Sequence, residues 1–195
     1  MSTIYTFHTE CPAVTADGLA AADLLLLYDA SAGTTKRALV SDVVSYGNAP
    51  VAVGATLTLT KATHSGKTML LDTAAGSIAT HPAATGTGAK FKFVVSVLAT
   101  SNSHIIKVAN ATDVMIGMIT SVDDTSDNAV GFIAGATADT ITLNRSTTGS
   151  VSKGEWIEIE DVASGIFHVR GTVSNSGTPA TQFSATVSYG GIDGV

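Results

Sequence analysis

The sequence predicts an all-β protein: a β-sandwich or jelly-roll-like domain of about ten short antiparallel strands, preceded by a small module of one β-hairpin and a short helix. Three observations predict it. Charged residues are 13% of the 195-residue chain, against about 25% in average soluble domains. Thr, Ser, Ala and Gly take their place, which deprives helices of their usual Glu, Lys and Arg surface. Short segments alternate apolar and polar residues with the period of two that half-buried strands require, and Gly, Pro, Asn or Asp separate them.

Residues 1–15 are polar, are broken by Pro12, and read as a flexible arm. Residues 16–47 read as a hairpin and short-helix anchoring module. Leu24 to Asp29 has the continuous apolar run of a strand buried on both faces, residues 30–34 make a turn, and residues 35–40 return as a second strand. Ser41 is placed to cap a short helix over 42–46, which Gly47 ends. Such a piece is too small to be stable alone, so it is expected to dock on something larger. Residues 48–53, with Pro50, read as a linker.

The β domain is expected over 54–188, with a tail at 189–195. Its first strand, 56–60, alternates strictly as Thr-Leu-Thr-Leu-Thr. Further strands are expected at 67–72, 77–80, 90–97, 104–109, 114–121, 129–134, 140–144, 155–160, 166–173 and 184–187. Gly165 closes the loop of a hairpin from Trp156 to Phe167 and beyond, and Gly171 ends it. No fixed period of the kind that marks a solenoid or propeller stands out.

Composition narrows the function. The net charge of −6 and the ten scattered Lys and Arg argue against nucleic-acid binding. No apolar run approaches the roughly 20 residues of a membrane span. Cys11 stands alone, so neither an intrachain disulfide nor a cysteine-only metal site is expected. Met1 to Glu10 has no basic and then apolar stretch of a secretion signal, which points to synthesis in a reducing cytoplasm. A mean hydropathy of +0.33 with so little charge suits a subunit buried in an assembly.

Motifs that hint at chemistry fail on their context. Ser65-Gly66-Lys67-Thr68 ends like a phosphate-binding loop, but Lys61 stands where the first glycine belongs and a strand pattern follows instead of a helix. Gly86-Thr87-Gly88 likewise precedes a strand. His8, His64, His81, His104 and His168 show no metal-ligand spacing. Asp123, Thr125 and Asp127 have the rhythm of a calcium loop but lack its glycine and closing Glu, so a solvated hairpin tip is expected. Glu158 and Glu160 share one strand face, on what reads as a solvated edge guarded by charge, and are a weak glycosidase pair. Trp156 reads as a core anchor, with a sugar-stacking platform as its alternative. No catalytic, cofactor-binding or metal residue is expected.

Two stretches carry a resemblance. One is the hairpin Asp23-Leu24-Leu25-Leu26-Leu27-Tyr28-Asp29-Ala30-Ser31-Ala32-Gly33-Thr34-Thr35-Lys36-Arg37 followed by Leu39-Val40-Ser41-Asp42-Val43. The other orders Ser65-Gly66-Lys67-Thr68, Pro82-Ala83, Lys90-Phe91-Lys92-Phe93-Val94-Val95 and Gly154-Glu155-Trp156-Ile157-Glu158. Together they cover about three quarters of the chain, which resembles the head-decoration, head-fibre and tail-fibre-associated virion proteins of tailed bacteriophages. His81 departs from that pattern, which has an apolar residue before the proline, and is expected to face solvent or a neighbouring subunit. The resemblance implies a structural, non-enzymatic role on the capsid surface, a homo-oligomer that is commonly a trimer, and a capsid protein as partner. It also implies synthesis in the host cytoplasm, and involves no cofactor, nucleic acid or membrane. The alternative it leaves open is a tail-associated module that recognises host surface glycans.

Overall fold

The computed structural model describes residues 24–29, 31–41, 47 and 49–186. The chain divides into two compact units, residues 1–48 and 49–195. In the first, β1 (Leu24–Asp29) and β2 (Thr34–Leu39) form an antiparallel hairpin with Leu24 opposite Leu39 and Asp29 opposite Thr34. Leu24 is 55% exposed, which departs from a strand buried on both faces; the side chains of residues 25–29 lie outside the described residues. Val40, Ser41 and Gly47 are helical, so Ser41 lies within helical backbone and not at a cap before it; residues 42–46, like the arm at 1–15 and the tail at 189–195, are not described.

The second unit is β-rich and holds two mixed sheets that share one core. Its strands are β3 (Val51–Ala52), β4 (Thr56–Thr58), β5 (Thr68–Leu71), β6 (Ile78–Thr80), β7 (Lys90–Val95), β8 (His104–Lys107) and β9 (Val114–Asp123). There follow β10 (Ala129–Ile133), β11 (Thr140–Leu143), β12 (Trp156–Ala163), β13 (Ile166–Asn175) and β14 (Phe183–Ser184). Each segment expected to be a strand contains one. β3 falls in the range read as a linker, and a single helical turn, α1 (Lys61–His64), follows β4.

The pairing differs from an all-antiparallel arrangement. β3, β5 and β7 lie parallel in the seven-stranded sheet, and β4, β6 and β8 lie parallel in the five-stranded one. These six strands alternate between the sheets along the chain, so residues 51–107 wind as a short parallel coil. The physical reason is in the connections. The segments after β4 and β6 cross from one sheet to the other instead of turning back, and parallel pairing needs such crossovers. Turn starts at Val51, Thr68 and Lys90 are unequally spaced, which is why no period is visible in the sequence.

Later strands close the coil. The hairpin β12–β13 enters the seven-stranded sheet between β7 and β9, pairing antiparallel with β7 and parallel with β9. β10 pairs antiparallel with β9 and forms the sheet's outer edge, while β11 and β14 extend the other sheet. Alternate residues point inward: Phe91, Phe93 and Val95 of β7, Ile157 and Ile159 of β12, and Phe167, Val169 and Val173 of β13 meet Ile106, Ile141 and Leu143 from the second sheet. Burying a side chain of this size contributes about 1.5–3 kcal/mol.

Candidate functional site

The inward row of β12 and the residue before it reads Glu155, Ile157, Ile159, Asp161: an apolar centre with a buried carboxylate at each end. Buried charge is costly unless it is fully hydrogen-bonded. Each end meets that condition with loop amides. Asp161 Oδ1 accepts from the amides of Thr85 at 2.9 Å and Gly86 at 2.7 Å. Its Oδ2 accepts from the amide and hydroxyl of Thr87 at 3.1 and 2.7 Å and from Lys61 Nζ at 2.6 Å. Burial alone pushes the carboxyl pKa up; the Lys61 ammonium and the donors of Thr87 and Gly86 outweigh it and hold the group well below the ordinary range.

At the other end, Glu155 accepts from the amides of Ser150, Val151 and Ser152 at 2.6, 2.7 and 2.7 Å. Here burial dominates and raises the pKa, with those amides opposing it. The glycine-rich loop at 86–88 is thus an anion cradle after all, of the kind formed by successive backbone amides. Its anion is the protein's own Asp161.

The other candidates resolve one by one. Gly66 turns the chain directly from α1 into β5, so Ser65 to Thr68 has no helix to bind a phosphate. His81 is fully buried, with its ring 4.9 Å from Phe91, 5.6 Å from Phe93 and 5.1 Å from Phe167, which overturns a solvent-facing or intersubunit position. Neither ring nitrogen has a hydrogen-bond partner, and burial pulls the imidazole down to about 3. His104 is buried too; its Nδ1 accepts from the Ser77 amide at 3.1 Å and its Nε2 donates to Val97 at 2.9 Å, which fixes the neutral tautomer. His64 Nδ1 accepts from the Thr60 amide at 2.9 Å.

Asp123 Oδ1 accepts from the amide and hydroxyl of Thr125, both at 2.8 Å, so this carboxylate organises the β9–β10 turn. Among the described residues no three of His, Cys, Asp and Glu gather as a metal site. Cys11 and His8 lie outside the described residues.

The outer face of the seven-stranded sheet carries the remaining candidates. Trp156 is half-buried on this face, not in the core, because it shares the outward row of Glu158 and Glu160. Lys92 Nζ stands 5.5 Å from its ring centroid. Arg170 Nε donates to Glu158 at 2.9 Å, and Lys90 lies 3.5 Å from Glu160. β12 is an interior strand, so these carboxylates guard no edge, and each has a basic cross-strand neighbour.

Toward β9 and β10 the face turns apolar. Ile116, Met118 and Val122 of β9 are joined by Ile133, which stands opposite Met118 and is 76% exposed. Val130 and Phe132 project from the other side of β10. The strand reads Ala-Val-Gly-Phe-Ile, with none of the charges or prolines that ordinarily protect a sheet edge. Sequence reasoning missed this surface because its residues read as core.

No protein-family model matches the chain, and no curated protein or solved structure matches it at a significant level. Among the described residues no helix is long and apolar enough to cross a membrane.

Proposed function

We propose that this chain is a structural, non-enzymatic subunit of a larger assembly, and specifically a capsid decoration protein of a tailed bacteriophage. The observation that carries the first part is the β10 edge: five uncharged residues, apolar on both faces, at the open side of a sheet. An exposed edge of this kind is a template for pairing with another chain. The second part rests on the resemblance of the hairpin module and the β domain to virion proteins.

In this reading the β9–β10 face packs against neighbouring copies, as a trimer, and the N-terminal hairpin anchors each copy to the capsid protein. Individually weak contacts sum over the lattice into avidity. Asp161 and Glu155 are committed to loop amides, and Glu158 and Glu160 to basic neighbours, which supports a structural role. Mass measurement in solution and addition of the purified protein to capsids lacking it test the proposal. Oligomers that bind and raise the capsid melting temperature support it; a monomer that fails to bind overturns it.

A further inference from the structure

At the Ser174 end of β13, the outer face opens into a cleft of about 280 Å³. Its walls include Trp156, the hydroxyl residues Ser152, Thr172 and Ser174, the apolar Val122 and the basic Lys153. Register explains the grouping: Thr172 pairs with Trp156, and Ser174 pairs with Val122. Drug-sized ligands occupy roughly 300–1,000 Å³, so this cleft suits a smaller guest.

We infer that the cleft binds a pyranose ring that carries a carboxylate, such as a uronic or sialic acid. An indole stacks on the C–H face of a sugar through the ring face its neighbours leave open, here the one not covered by Lys92, and flanking hydroxyls exchange hydrogen bonds with the sugar's own. The charge of the guest follows from which groups are spent. Glu155, the carboxylate lining the cleft, is buried and held by three loop amides. Glu158, next on the outward row, is held by Arg170. Lys153 is exposed at the rim, and Lys92 adds positive charge beside the indole. Lys153 and Lys92 are thus the ammonium groups placed to pair with a charged guest.

The cleft shares Val122 with the β9–β10 face, but Trp156, Lys153 and Ser174 lie outside β9 and β10, so a response of Trp156 to added sugar reports the cleft and not assembly. The test uses the full chain in its native state of assembly. Trp156 is the only tryptophan, so its fluorescence reports this site alone. Titration with sodium glucuronate and with N-acetylneuraminate is expected to give saturable changes, with dissociation constants on the order of millimolar. Methyl glucoside should bind about two- to fivefold more weakly, as the loss of one exposed ion pair implies. Lys153→Glu should erase that preference while leaving the fold unchanged. Absence of a saturable response to either acid, equal response to the neutral glucoside, or an unaltered preference in Lys153→Glu overturns the inference.

Discussion

Lys61 and Asp161, 100 residues apart in sequence, meet at 2.6 Å and tie the helical turn of the parallel coil to the end of β12. Asp161 is wholly buried, whereas Lys61 keeps 24% of its side chain in solvent. Removing one partner of a buried pair typically costs about 3–5 kcal/mol. Asp161→Asn should therefore destabilise the β unit by about 3 kcal/mol in urea unfolding, since the new amide group points donors at donors. Lys61→Met added to that variant should cost less than about 1 kcal/mol more, because the ammonium has already lost its partner.

Acid should weaken the fold in two stages. The folded value of His81, about 3, lies below the unfolded value of 6.5. Between them the unfolded chain binds a proton that the folded chain refuses, so stability falls with falling pH. Going from pH 6.5 to 5 costs about 2 kcal/mol from this group alone. His104, also lowered by burial, acts in the same sense. The contribution of Asp161, whose folded pKa is depressed, is present above the unfolded value of about 3.9 and is lost as pH falls below it. His81→Leu should remove most of the first stage and raise stability at pH 7 by about 1–2 kcal/mol, because two unpartnered ring nitrogens leave the core. Melting temperature against pH for both proteins measures this.

Gly117 has a φ of +117°, and a Cβ there would stand 2.1 Å from the carbonyl oxygen of Val169. Because that oxygen is backbone in the paired strand β13, the strands must separate to admit a methyl group. Gly117→Ala should cost at least about 3 kcal/mol in chemical denaturation.

Ile133→Lys places a charge on the most exposed large apolar side chain of β10. Charge of this kind is how sheet edges normally resist pairing. Sedimentation should show smaller particles than the native protein forms. Unfolding free energy of the separated chain should stay within about 0.5 kcal/mol, as expected for a surface change.

Strand positions were legible in the sequence because alternation and glycine punctuation are local signals. Lys90-Phe91-Lys92-Phe93 announces both the strand and its buried face, and Phe91 and Phe93 are indeed core. Whether neighbours run parallel was not legible, since it depends on where residues 59–67 and 81–89 travel between strands. The same alternation placed Trp156 with Glu158 and Glu160; the pull of a lone tryptophan toward the core obscured it. Asp161 could not be matched with Thr85, Gly86 and Thr87, because nothing local links residues 74 to 76 apart. His81 defeated the usual expectation that a histidine seeks water or a partner.

The position of the β12–β13 hairpin sets the order in which the molecule can be completed during synthesis. When β3 to β11 have left the ribosome, β7 and β9 still lack the strands that stand between them in the finished sheet. Both present open edges, Asp161 has not yet reached its cradle, and the apolar face of β7 has no neighbour in β12. A chain halted before Trp156 is thus a set of unmatched edges, with the aggregation hazard such edges carry. The segment made late does not append to a finished body; it is inserted into the middle of one, and only then does the earlier coil become a closed structure.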